Sequence, residues 1–235
     1  MPKTKTIQTQ PTGDTETTAL LKQSPSASSL SSSIRSNSSL SELNLIQHIF
    51  SFRINRYKKR ICCNFSRLYN VYDETGNESE LVFHASQENS YLSNDYEDMF
   101  IYNMQEQLMF SIEFSTHSGY FSTQMKFSVV SSSKVGLGSI LRVCGFMQPV
   151  VYEILNWDDE HLFSIGPPTE TGIKSYDLAR KYEVISNDGK GVATIVQERK
   201  TISMKYSPSE PLQLRDKTLI LALGFILDLL KNEEI

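Results

Sequence analysis

Between Ser51 and Phe65 the chain reads SFRINRYKKRICCNF, the most informative local feature of its 235 residues. Five of the eight residues from Arg53 to Arg60 are basic (Arg53, Arg56, Lys58, Lys59 and Arg60), and Cys62 and Cys63 follow at once. A basic side chain near an anionic leaflet contributes about 1 kcal/mol, and a single acyl chain holds a protein to a bilayer only marginally. Cations beside acylatable thiols therefore supply two signals that together anchor a chain to a membrane surface, with Cys62 and Cys63 as the lipid-anchor candidates. Phe52, Ile54, Tyr57, Ile61 and Phe65 are interleaved with them. A plainer reading also stands: a solvated surface run from Arg56 to Arg60, followed by a strand that packs one cysteine inside. A third is nuclear import or nucleic-acid binding through the basic run. The net charge of −4 argues against a surface built for nucleic acid, so no such partner is expected.

Other reactive groups do not assemble. Asp95, Glu97 and Asp98 form one acidic cluster, and Asp158, Asp159, Glu160 and His161 another, but neither has EF-hand spacing and both suit polar turns. The histidines His48, His84, His117 and His161 are scattered, with no H-E-x-x-H and no G-x-S-x-G. Gly136 and Gly138 begin a dinucleotide-like pattern that Leu141 breaks. No catalytic constellation emerges, and the chain is expected not to be an enzyme. Its three cysteines make neither a disulfide framework nor a zinc set, which suits a reducing, intracellular setting. The polar start MPKTKTIQTQ lacks the apolar core of a secretory signal.

The elements that must carry these residues are legible from pattern. From Ser24 to Ser41, eleven of eighteen residues are serine, too few of the rest being apolar to repay ordering; residues 1–41 are expected to be a disordered tail. Leu40, Leu43, Ile46, Ile49 and Phe50 suit a short amphipathic helix over Leu40–Phe52, capped by Ser39 or Ser41. Alternating runs that turn at Asp, Asn, Gly or Ser clusters predict five hairpins, starting near Leu68, Met99, Met125, Val151 and Lys181. Tyr69 and Tyr152, like Met99 and Tyr182, are 83 positions apart, which predicts two related halves of about six strands that close into a barrel. A two-sheet sandwich has the same local pattern. Leu219 to Leu227 has no polar side chain, so a helix there must be buried on every side. It is too short for a bilayer of about 30 Å, and burial inside the barrel is expected.

The closing segment Glu210-Pro211-Leu212-Gln213-Leu214 before that helix, the strand pair YEILNWDDEHLFSIGPP, and the spacing from Leu137-Gly138-Ser139-Ile140 to Gln148-Pro149-Val150 together resemble the phospholipid scramblase family of the tubby-like superfamily. The resemblance covers about Arg67 to Leu230 and implies an all-β fold. That fold is a closed antiparallel barrel of about twelve strands around a buried C-terminal α-helix, with domain limits of 42–235 and the helix at 216–231. It implies a protein at the cytoplasmic face of a membrane, the plasma membrane in the first instance, that promotes ATP-independent, calcium-responsive movement of phospholipids between leaflets. The family's mid-domain cysteine cluster has no counterpart in Thr116-His117-Ser118-Gly119-Tyr120-Phe121. Of the family's acidic calcium segment, only Glu210 and Asp216 keep carboxylates, with Gln213 and Arg215 at other positions. The rival expectation is a soluble tubby-like module that binds anionic lipids or a protein partner, of unknown identity, without scrambling. A third is an interaction protein whose tail is the working part.

Overall fold

The computed structural model describes residues 40–61, 64–89, 98–118, 122–145, 149–171 and 179–231. The serine-rich segment up to residue 39, and Cys62 with Cys63, lie outside them. The chain enters through a 3-10 turn, Ser41–Leu43, that runs into α1, Asn44–His48. Leu40, Leu43, Ile46 and Ile49 are buried at the three-residue spacing of one helical face. The helix expected to reach Phe52 stops early. Ile49 takes extended dihedrals (φ −88°, ψ 132°), and from Ser51 the chain belongs to the sheet, where Phe52 and Ile54 alternate into the core. The Ser41 cap is not formed either, since Leu40 is the N-cap and makes no side-chain bond.

Thirteen strands follow among the described residues: β1 Ser51–Ile61, β2 Asn64–Asp73, β3 Glu80–Asn89, β4 Met99–Asn103, β5 Leu108–Ser118, β6 Ser122–Ser131, β7 Gly136–Gly145, β8 Val151–Asn156, β9 His161–Ile165, β10 Thr169–Thr171, β11 Ala179–Ser186, β12 Gly191–Gln197 and β13 Thr201–Tyr206. Neighbours pair antiparallel from β1 to β9 and from β11 to β13; β13 returns to β1, and β9 closes on β11 at Ile165↔Val184. β10 lies along the rest of that same edge of β11, at Thr169↔Lys181. β9 and β10 are thus one stave, broken at Gly166-Pro167-Pro168 where the prolines have no N–H for a ladder. The result is a closed antiparallel barrel of twelve staves, and closure removes the exposed edge that would recruit other strands. All five expected hairpins are present, as β2–β3, β4–β5, β6–β7, β8–β9 and β11–β12.

The repeat of 83 positions reaches the atoms of the turns. Asn103 N donates to Gln107 O at 3.0 Å and Glu106 N to Asn103 O at 3.1 Å; in the second half Ser186 N donates to Lys190 O and Gly189 N to Ser186 O, both at 2.9 Å. Glu106 (φ 60°) and Gly189 (φ 81°) hold the same left-handed place in the two loops. Asp73 and Asn156 open matching turns, their side-chain oxygens accepting from Thr75 N at 2.7 Å and Asp158 N at 2.9 Å.

Down the centre runs α2, Leu214–Leu230, with every residue from Lys217 to Leu230 buried. A helix apolar all round needs such a sheath. Its axis lies close to β1 and β13, for a Cβ added at Gly224 would sit 2.6 Å from Met204 Sδ and 3.1 Å from Ile54 Cδ1. Among the described residues no helix is long and apolar enough to cross a membrane. Each end of α2 carries one buried charge. At the N-terminal end Lys217 Nζ donates to Gln47 O (2.6 Å) and Ile49 O (3.1 Å) and lies over the rings of Phe50 and Tyr206, so α1 and α2 are tied together there. Burial holds its ammonium pKa below the ordinary lysine range.

Candidate functional site

The other buried charge of α2 organises the opposite end of the barrel. Asp228 is 2% exposed, and a carboxylate in that position requires partners. Strand alternation supplies them: β1 turns Phe52, Ile54 and then Arg56 inward, and Arg56 Nη1 meets Asp228 Oδ2 at 3.0 Å. From β2, the Tyr69 hydroxyl donates to the same oxygen at 3.2 Å. Burial pushes the Asp228 carboxyl above the usual carboxylate range, opposed by Arg56, the Tyr69 hydrogen bond, Arg67 and Lys231. The Tyr69 hydroxyl is also pushed up, by burial first and by Asp228 second. On β12 the buried Gln197 donates from Nε2 to Leu227 O at 2.7 Å, which satisfies one of the carbonyls that a helix C-terminus leaves without an intrahelical partner. Lys231 Nζ donates to Glu198 O at 2.6 Å.

Around this buried knot the surface is cationic. Arg56 Nη2 donates to Arg199 O at 3.3 Å, and Arg56, Tyr57, Arg199 and Lys200 line a cleft of about 450 Å³. Arg67 acts electrostatically on Asp228, and Arg180 and Arg199 act on Lys231, whose ammonium is lowered by burial first and then by Arg56, Arg180 and Arg199. Among the described residues, Arg56, Arg67, Arg180, Arg199, Lys200 and Lys231 are thus grouped at this end with the carboxylate of Asp228, and Glu170 stands opposite Arg180 on the β10–β11 ladder. Tyr57, an exposed aromatic, stands at the mouth. Positive charge lining a concavity concentrates anions, and a guanidinium matches a phosphate in a bidentate way.

The basic residues read from sequence divide between the faces of one strand. Arg53 is on the outside, bound to Glu74 at 3.1 Å and stacked 5.2 Å from the Tyr72 ring, while Arg56 is inside. Lys58, Lys59 and Arg60 continue β1 to its end and pair with Arg67, Ser66 and Phe65 of β2. Cys62 and Cys63 come next in the chain and lie outside the described residues. Glu210 and Asp216 belong to the other end of the barrel, and each has a structural partner: Glu210 meets Lys190 at 3.1 Å, and Asp216 caps α2 by accepting from Gln213 N at 3.2 Å. Burial raises the Asp216 carboxyl. Two separately engaged carboxylates fall short of the six to eight oxygens calcium takes, and among the described residues no group of three or more His, Cys, Asp or Glu could hold a metal. The Asp158-Asp159-Glu160 cluster is a turn, as expected, with Asn156 Oδ1 accepting from Asp158 N and Glu160 N.

Sequence reasoning did not find Asp228, Tyr69, Gln197, Arg199 and Lys200 as parts of one site. Asp228 carried the usable signal, because a single carboxylate interrupting an apolar helix must be met by a cation from elsewhere. Which cation depended on how β1 and β2 register against the helix, a relation between distant segments. No protein-family model, no curated protein and no solved structure matches this chain.

Proposed function

We propose that this protein is a scramblase-like, tubby-like barrel that binds anionic phospholipid surfaces through the cationic end of the barrel, where β1, β2 and the β12–β13 turn surround the C-terminus of α2. The observation that carries this reading is the cleft in which Arg56, Arg199 and Lys200 converge beside the exposed Tyr57. Cations at an anionic leaflet contribute about 1 kcal/mol each, and an aromatic ring with a polar tip suits the headgroup level. A membrane at that end is an anionic one, met in the reading by the cytoplasmic face of the plasma membrane. Acylation at Cys62 and Cys63, next in the chain after β1, would add the second anchoring signal. Movement of phospholipids between leaflets is the stronger form of the same proposal and rests on the resemblance. Passage through the barrel itself would have to displace α2, buried from Lys217 to Leu230, so surface binding is placed first.

Vesicle sedimentation tests the binding. Vesicles of phosphatidylcholine with phosphatidylserine should retain the protein, and those of phosphatidylcholine alone should not. Binding should weaken as salt rises and should fall when Lys58, Lys59, Arg60, Arg199 and Lys200 are changed to glutamine. Equal binding to both vesicle types, or binding indifferent to those five changes, rejects the reading. Reconstituted liposomes, with and without calcium, test leaflet exchange, and exchange no faster than in protein-free liposomes rejects that activity.

A further inference from the structure

Arg56 has two roles that conflict. Arg56 lines the cleft, with a side chain still 15% exposed and Nη2 on the carbonyl of Arg199, another lining residue, and its guanidinium is held at 3.0 Å by the carboxylate of Asp228. We propose that Asp228 is a built-in competitor for the cleft: an anionic phosphate group that enters has to take Arg56 away from an internal carboxylate, so the charge on Asp228 sets how tightly the cleft binds. This rests on the reading of the cleft as an anionic-headgroup site and adds the means of its control.

The surroundings of Asp228 make the competition specific. Tyr69 and Arg67 face it from β2 and Arg56 from β1; Gln197 on β12 holds the neighbouring Leu227 carbonyl, and Lys231 closes the helix end within reach of Arg180 and Arg199. Among the described residues, Arg56 alone both lines the cleft and binds the carboxylate. Once Asp228 is protonated, its pull on Arg56 is lost and the cleft gains one unit of positive charge. Since burial raises the carboxyl, that change comes at a milder acidity than for an ordinary aspartate. Anion binding therefore strengthens as pH falls. By linkage, anion binding also draws a proton onto Asp228. Of the histidines, His48 on α1, His84 beside Glu106 and His161 at the start of β9 belong to the other end of the barrel, whereas His117, near the end of β5, is on the cleft's side, so it is the Asp228→Asn variant that assigns the pH slope to Asp228.

Full-length protein and its Asp228→Asn variant, sedimented with phosphatidylserine-containing vesicles over a pH series from neutral into acid, decide the matter. The variant should bind about fivefold more tightly at neutral pH, the equivalent of one extra charge at about 1 kcal/mol, and should lose most of the pH dependence. A variant that binds no tighter, or keeps the wild-type pH slope, overturns the proposal while leaving the headgroup reading intact. Wild-type protein that binds these vesicles at no pH overturns both. Should Asp228→Asn fail to fold, calorimetry of wild-type binding in buffers of different ionisation enthalpy decides instead. Net proton uptake on the acid side is expected, and its absence refutes the competition.

Discussion

Arg56→Met offers a severe test of how α2 is held. The change keeps the length of the apolar stem and removes the charge opposite a carboxylate that is 2% exposed. Removing one partner of a buried pair costs about 3–5 kcal/mol. Arg56 is itself only 15% exposed, so solvent screening gives little discount, while Arg67, Lys231 and the Tyr69 hydroxyl remain near Asp228. A loss of about 3 kcal/mol at neutral pH follows, from the lower end of that range. The pH dependence has a definite sign. Asp228 has a folded pKa above its unfolded one, so the native state holds the extra proton, and its contribution to stability is greatest at low pH and declines as pH rises through the folded pKa. Without Arg56 that pKa climbs further. Acidification from neutral pH should therefore shrink the gap between variant and wild type. Urea unfolding across pH, together with Asp228→Leu and the double variant, measures each part, and the double variant should recover about 2 kcal/mol of the single loss. A loss under about 0.5 kcal/mol, the scale of an ordinary surface change, would refute the reasoning, as would a gap that widens on acidification.

Three further outcomes are expected. Gly224→Val forces a branched side chain against Met204 Sδ and Ile54 Cδ1, and should cost about 1–3 kcal/mol in urea unfolding; a neutral result would mean that α2 does not lie as close to β1 and β13 as described. Gln197→Leu leaves the Leu227 carbonyl buried without its donor and should cost about 1–3 kcal/mol by the same measurement. Trp157, the one tryptophan of the chain and 59% exposed, is on the β8–β9 turn, at the end of the barrel away from the cationic cleft. On bound vesicles its fluorescence should stay open to iodide and escape quenching by brominated lipid, and the reverse pattern would mean that the wrong end has been assigned to the membrane.

The hairpins and the barrel were open to sequence reading because period-two alternation and turn chemistry are local. Asn103-Met104-Gln105-Glu106 and Ser186-Asn187-Asp188-Gly189 announce the same loop in both halves, and the run from Leu219 to Leu227 announces a helix that must be enclosed. The end of α1 was not legible, because Leu40 to Phe50 keeps a helical spacing while Ile49 already belongs to the approach to β1. The basic run misled for a related reason. In Arg53 to Arg60 only Ile54 is aliphatic, which hides the alternation that sends Arg53 outward to Glu74 and Arg56 inward to Asp228. Charge density suggested one patch, and the pleat of the strand made two environments. Arg199 and Lys200 stayed unread because a pair of cations at a turn looks like any solvated turn until the helix C-terminus is placed beside it.

Amide hydrogen exchange followed by mass spectrometry, on free protein and on protein bound to phosphatidylserine vesicles, probes the enclosure of α2 most directly. Amides from Leu219 to Leu227 should be among the slowest in the free protein, exchanging only through global unfolding, and vesicles should leave them unchanged. Rapid exchange of that segment in solution, or protection gained only when vesicles are present, would contradict a helix sheathed by its own strands.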